Sequence, residues 1–225
     1  MNPVVTEWRV ESRAGSASDL HARDLDPGSG RRVEILTASS PALVLGSTQQ
    51  ESVVDAGAAA ATGTEIVRRR SGGGAVLLLP GRSTWIDVTI GRDDPLWEDD
   101  VATAFHWLGH AWASAARRLG VDATVHVDRP VETRWSRRIC FAGLGAGEVV
   151  VDHRKLVGIS QRRTRSGARF QCVVHRRWDP IPLLGLLALD EVERAYGLVE
   201  LADIATGIDL APDPVVNALL ASLPA

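Results

Sequence analysis

Three consecutive glycines interrupt an otherwise strand-like run over residues 66–79. Ile66 and Val67 lead through Arg68, Arg69 and Arg70 to Ser71, Gly72, Gly73 and Gly74, and the chain resumes as AVLLL. A glycine turn that feeds a second strand is neither a P-loop, which carries GxxxxGKS/T ahead of a helix, nor the dinucleotide fingerprint, which also opens a helix. It lets a ligand or another backbone come close and leaves N–H groups free to form an anion-binding concavity. Strand alternation sends Arg69 to the face opposite Arg68 and Arg70. One face then offers a single guanidinium beside the glycines. From these residues alone, a flexible hairpin flanked by surface arginines is an equal alternative.

The rest of the chain reads as strands, a long helix, more strands and terminal helices. Strands are predicted at 33–36, 42–45 and 83–90, with helical potential over 49–61. The clearest helix is predicted over 95–119, with Val101, Phe105, Leu108, Trp112, Ala115 and Leu119 as its buried stripe. Residues 121–127 read as a strand and 128–138 as a basic loop. A hairpin over 149–160 turns near Asp152 and His153, with 170–175 as its neighbour. Helices follow at 181–196, 201–204 and 215–223. This order predicts an α+β domain with helices packed on one side of a sheet. Residues 1–31 are expected to form a mobile segment ahead of a single domain over 32–225. No apolar run approaches the ~18 residues of a membrane span and no signal-type leader is visible, so a soluble, cytoplasmic protein is expected. His106 and His110 have the i, i+4 spacing of zinc ligands, but no Glu follows the first and no third ligand is evident. They are read as half-buried helix residues, with no metal site.

Of the 25 basic residues, 24 are Arg and only one, Lys155, is Lys. A surface ammonium is readily replaced by a guanidinium, so a position that keeps Lys can require a compact point charge, a titratable amine or a nucleophile, with chance survival of one surface Lys as an equal alternative. Residues 129–177 carry twelve Arg or Lys against Glu132, Glu148 and Asp152, or +9 in a chain whose net charge is −3. Such a zone suggests an anionic partner: a nucleotide, a nucleic acid or an acidic protein surface. Two cysteines, Cys140 and Cys172, are too few for a disulfide framework.

On the strand after the hairpin turn, plain alternation puts Lys155 with Val157 and Ile159, and Leu156, Gly158 and Ser160 on the other face. A buried ammonium there needs an anion. RRRSGGGAV at 68–76 and KLVGIS at 155–160, in this order and separation, resemble the paired motifs of the lipoate-protein ligase, octanoyltransferase and biotin ligase superfamily. ALVLGSTQ at 42–49 is similar to a further strand end of that group. The chain is thus identified as a short form of this catalytic domain, without the C-terminal accessory domain of the long ligases.

The resemblance implies a mixed, largely antiparallel sheet with helices packed on it, like class II aminoacyl-tRNA synthetases and biotin-lipoate ligases. It implies a central role for Lys155 at the acyl carbonyl and α-phosphate. Arg69, Ser71, Gly72, Gly73, Gly74, Ala75, Gly158, Ile159 and Ser160 would line the substrate and nucleotide site. ATP is the implied cofactor, with Mg2+ as a companion whose ligands the sequence does not identify, and lipoate or octanoate the implied substrate. The acceptor would be a lipoyl-type carrier domain of 2-oxoacid dehydrogenase or glycine cleavage proteins. Neither a membrane nor a nucleic acid is an expected partner.

The chain also departs from the pattern. Leu77, Leu78 and Leu79 replace a Tyr-His-Asp-like stretch. The Asn-Asp pair usual before the lysine is missing, and Phe170, Gln171, Cys172 and Val173 replace a His-His-Gly-Thr-like strand. Cys140-Phe141 resembles the nucleophile of one octanoyltransferase branch, in which an acyl carrier protein donates octanoate through a thioester. A ligase, a Cys140 transferase and a non-catalytic acyl- or nucleotide-binding relative are therefore the readings the sequence supports.

Overall fold

The structure is a computed structural model that describes residues 7–25 and 30–225. A seven-stranded sheet runs in the order β1 (Arg9–Gly15), β2 (Arg32–Ala38), β6 (Ser83–Gly91), β10 (Gly167–His175), β9 (Arg154–Arg163), β8 (Val149–Val151) and β7 (Thr124–Val125). All its pairings are antiparallel except β1 with β2. A second sheet of three strands has the order β4 (Glu65–Arg68), β3 (Ala42–Leu45) and β5 (Val76–Leu78). The helices are α1 (Ala17–Ala22), α2 (Ala56–Ala61), α3 (His106–Arg118), α4 (Pro180–Gly185), α5 (Glu191–Glu200) and α6 (Pro212–Leu220).

Period-two alternation divides the large sheet into two unlike faces. Ile86, Val88 and Ile90 of β6, with Phe170, Cys172 and Val174 of β10, pack against Leu108 and Trp112 of α3 and Leu219 of α6. The opposite face carries Trp85 and Asp87, paired with Val173 and Gln171, and meets the small sheet and α1. The outer side of the small sheet, through Leu43, Leu45 and Leu77, is closed by Leu183, Leu184 and Trp135. The α+β expectation with a mixed, largely antiparallel sheet therefore holds. A second sheet covering one face was not foreseen.

The expected mobile segment over 1–31 needs correction where it is described; residues 1–6 and 26–29, including most of the GSG at 28–30, lie outside the described residues. β1 pairs in parallel with β2 from Arg9↔Arg32 to Gly15↔Ala38. α1 buries Ala17 and Leu20, and the Glu65 carboxylate accepts from the N–H groups of Ala17 and Ser18, both at 2.9 Å. The polarity that made this stretch look loose is consumed in three dimensions, since Arg13 and Arg23 both reach Glu34.

The long helix begins at His106, eleven residues later than expected. Asp94 and Asp100 accept from the N–H groups of Leu96 and Ala102, a local bonding that competes with helix. Val101 is 56 % exposed as a result, while Leu108, Trp112 and Ala115 form the buried stripe as predicted. The helix expected over 181–196 is two, because Leu187 bridges to Val54 and Asp190 caps a new start. No helix among the described residues is long and apolar enough to cross a membrane.

Candidate active site

Lys155 owes its position to an irregularity. β8 and β9 are joined by a two-residue turn in which Asp152 takes a left-handed φ of 56°, and the ladder slips between Val149 and Val150. A bulge of this kind breaks strict alternation. A Cβ built on Gly158 would meet the Phe141 ring at 3.2 Å and Glu148 Oε1 at 3.9 Å. Those are the side chains that the Lys155 ammonium approaches. Lys155 therefore lies with Gly158 and Ser160, which corrects the expectation that it shares a face with Val157 and Ile159.

The ammonium is 2 % exposed and fully engaged. Its Nζ is 2.6 Å from Glu148 Oε2, donates to the Cys140 carbonyl at 2.8 Å and stands 5.6 Å from the Phe141 ring centroid. Glu148 is itself anchored, accepting from Gly145 N–H at 2.7 Å and from Ile159 N–H at 3.2 Å. The anion that a buried lysine requires is thus internal. Sequence reading counted Glu148 only as one acid in a basic zone. Its available signal was its place seven residues before the single lysine, at the edge of β8, in a chain that lacks the Asn-Asp pair.

The glycine loop faces this lysine across the groove. Gly73 has φ +100°, and a Cβ on Gly46 would lie 1.9 Å from Gly73 O, while one on Gly74 would lie 2.6 Å from the Ile139 backbone. Side chains at those two positions are sterically barred. Among the described residues, the N–H groups of Gly72, Gly73 and Gly74 make no hydrogen bond within the protein. Ala75 bridges by its backbone to Arg138 and Cys140, and Gln49 ties the end of β3 to the carbonyls of Arg137 and Arg138.

Arg69 is buried on its own face, as alternation predicts, where it borders the space between the two sheets and braces the loop. It donates to Gly72 O at 2.7 Å, Gly74 O at 2.9 Å and Val44 O at 3.4 Å. Arg68 reaches Gln49 O, and Arg70 pairs with Asp24 at the surface. Arg69→Ala would leave carbonyls of a buried loop without a donor and is expected to lower stability by about 1–3 kcal/mol. Arg68→Ala and Arg70→Ala should stay within about 0.5 kcal/mol. Denaturant midpoints of the three variants check this, and equal losses would mean that Arg69 is an ordinary surface charge.

Two cavities meet at this point. A narrow slot of about 30 Å³ lies between the sheets, walled by Val44, Val76, Leu78, Trp85 and Val173 and bordered by the polar groups of His21, Gln171 and Ser160. An open groove of about 940 Å³ holds Gly72, Gly73, Gly74, Glu148 and Lys155. Cys140 and Ser160 line both. Ser71 Oγ lies 3.0 Å from Ser160 Oγ and donates to Gln171 Oε1 at 3.2 Å, so the glycine loop and β9 are coupled at the junction. Cys140 is half-buried, whereas burial pushes the Cys172 thiol well up, as suits a core residue. His106 is half-buried and borders the groove, and His110 is exposed. No group of three or more His, Cys, Asp or Glu among the described residues could hold a metal ion.

The basic zone is less one-sided in space than in sequence. Arg134 pairs with Glu200, Arg138 with Glu193, Arg154 with Asp203, and Arg176 and Arg177 with Asp209. Much of the +9 run is therefore met by acids from elsewhere in the chain.

Behind the slot the interior is polar. Burial, then the nearby Arg69 and Arg169, depresses His21 to about 3, and burial holds His175 at about 4. Burial lifts Asp87 to about 6 although Arg169 opposes it. Below about pH 6.5 the unfolded chain protonates both histidines while the native chain does not, so stability falls as pH falls towards 4. Asp87 acts in the opposite sense between about 6 and 3.8, where the native state holds the extra proton. The balance is about one proton, or roughly 1.4 kcal/mol lost per pH unit between pH 6 and 4. Urea midpoints at those two pH values measure it, and His175→Gln should flatten the slope.

The family model for the lipoyl protein ligase A/B catalytic domain matches residues 18–201, beginning inside the stretch read as a mobile segment. No curated protein matches the chain by sequence. Among solved structures, the chain is similar to a bi-partite lipoate protein ligase of Thermoplasma acidophilum, described together with its E2 lipoyl domain. That match has a TM-score of 0.76 and 19% identity over 96% of this chain and 82% of the other. A T. acidophilum protein with bound lipoic acid matches with a TM-score of 0.70 at 19% identity, covering 96% and 84%. A lipoate-protein ligase A bound with ATP matches with 0.69 at 19% identity, covering 95% and 83%. At such identities the likeness is one of fold.

Proposed function

The chain belongs to the lipoyl protein ligase A/B catalytic domain family, and on that premise we propose that it attaches a lipoyl or octanoyl group to a lysine of a lipoyl-type carrier domain by way of an acyl-adenylate made from ATP. The observation that carries this reading is the placement of Lys155, buried and paired, where an apolar slot opens into a groove edged by free glycine N–H groups. An apolar slot suits a hydrocarbon chain, an ammonium that can exchange Glu148 for another carboxylate suits its acid group, and unbonded N–H groups suit phosphate oxygens. Neighbours of the same fold hold lipoic acid or ATP, or are described with an E2 lipoyl domain. The slot is far smaller than an eight-carbon chain, so binding has to widen the space between the sheets.

In this reading the acid's carboxylate takes up the Lys155 ammonium in competition with Glu148. Its oxygen attacks the α-phosphorus, the bond to the β-phosphate oxygen breaks, and pyrophosphate leaves. The acceptor lysine, as free amine, then attacks the acyl carbon. Lys155 stabilises the oxyanion, AMP leaves and the amine proton passes to solvent. A Mg2+ ion accompanying ATP finds no ready cluster of protein ligands among the described residues. Carriers of the 2-oxoacid dehydrogenase or glycine cleavage type are the proposed acceptors.

A second reading rests on Cys140, which borders both cavities and whose carbonyl accepts from Lys155. There the thiolate attacks an octanoyl thioester of an acyl carrier protein, the carrier thiol leaves, and the acceptor lysine displaces Cys140 from the new thioester. Cys140→Ser separates the two, since an alcohol is a poor nucleophile without an activating base. The ligase reading expects lipoate- or octanoate-dependent exchange of pyrophosphate into ATP in wild type and near-normal exchange in Cys140→Ser. Absent exchange, together with a hydroxylamine-labile octanoyl adduct at Cys140, would move the assignment to the transferase. Measurable acyl binding with neither signal would favour the non-catalytic reading.

A further inference from the structure

The slot between the sheets has apolar walls, yet a chain of hydrogen bonds runs along it. Ser160 stands at the junction with the groove, and Ser71 Oγ, 3.0 Å from Ser160 Oγ, donates to Gln171 Oε1 at 3.2 Å. With Oε1 so engaged, the Gln171 amide turns its Nε2 to His21 Nδ1, at 3.2 Å. His21 lines the slot and not the groove, whereas Lys155 lines the groove and not the slot. The chain therefore ends at the side of the slot remote from the ammonium.

Its last member is left without a partner. His21 Nδ1 can accept from Gln171 only when the ring proton sits on Nε2. The ring is neutral at pH 7, because burial and then Arg69 and Arg169 hold its pKa at about 3. It is 6 % exposed and stacked on Trp85 at 4.5 Å, and its Nε2 has no hydrogen-bond partner among the described residues. Native interiors leave few buried N–H groups without an acceptor, because each costs free energy. A plain alkyl chain that fills the slot leaves this donor unmet. We propose that His21 sets the acyl specificity of the slot: an acid of octanoate length with an oxygen acceptor near its far end, bonded by the Nε2–H, is favoured over the plain alkyl acid. This inference rests on the acyl-transfer reading and narrows its substrate.

The test is calorimetric titration of the full chain with octanoate and with 7-oxooctanoate, in which one CH2 is exchanged for a C=O. Wild type should bind the keto acid about ten-fold more tightly, the upper range of one net hydrogen bond. His21→Asn keeps an acceptor near Nδ1 for Gln171 but lacks the distal N–H, so the ratio of the two affinities should fall to about one. His21→Gln carries an amide N–H near the place of Nε2 and should retain the preference. A merely structural role would weaken both acids alike and leave the ratio unchanged. Equal affinities in wild type, or a ratio that survives in His21→Asn, would overturn the proposal and leave the acyl-transfer reading standing. If His21→Asn does not fold, the wild-type ratio decides. Binding of neither acid at millimolar concentration would overturn the acyl slot and this proposal together.

Discussion

Lys155→Arg is expected to stay folded and yet to transfer acyl groups about 10²–10³-fold more slowly than wild type, the loss typical of removing one oxyanion donor. The ammonium fits between Glu148 Oε2 at 2.6 Å and the Cys140 carbonyl at 2.8 Å, a space set for a single nitrogen. A guanidinium keeps the charge and can still pair with Glu148, so the buried carboxylate is not abandoned. It is wider and forked, however, and cannot present one compact donor to a carbonyl oxygen. The measurement is the intact mass of a lipoyl domain over time, with circular dichroism to show that the variant is folded. Wild-type rates in a folded Arg variant would remove Lys155 from the centre of the mechanism.

What could be read from the sequence was local. β3 falls on the predicted residues, β6 exceeds its prediction by one residue, and Arg69 stands apart from Arg68 and Arg70 as period two requires. The single lysine, which composition singles out, lies buried and lines the same groove as the glycine loop. The misses share a cause, namely partners distant in sequence. Nothing near Ala17 announces that Glu65 will cap it, and nothing in RKLVGIS shows that β8 slips by a residue and turns Lys155 to the other side. Plain alternation can place a residue only while the ladder is regular. The second sheet was hidden for the same reason, since β4, β3 and β5 resemble further strands of one sheet until their pairing is known.

Glu148 illustrates the point and offers the sharpest test of how the site is built. Glu148→Ala removes the only anion that meets this buried ammonium among the described residues and also the acceptor for two N–H groups, at Gly145 and Ile159. Breaking one side of a buried pair is expected to lower stability by about 3–5 kcal/mol. Most of that loss should come from the unpaired charge. If so, the double variant Glu148→Gln/Lys155→Met, which keeps the shape and one amide oxygen but buries no charge, should regain at least half of it, since replacing a buried ion pair by neutral groups of similar volume is often tolerated. It should also be inactive in acyl transfer. Denaturant unfolding of wild type, single and double variants reads the difference directly. A double variant as unstable as Glu148→Ala would show that the hydrogen bonds to Gly145 and Ile159 dominate. A stable Glu148→Ala would show that the ammonium finds another partner or water, and that the internal carboxylate is not what holds Lys155 ready for an incoming acid.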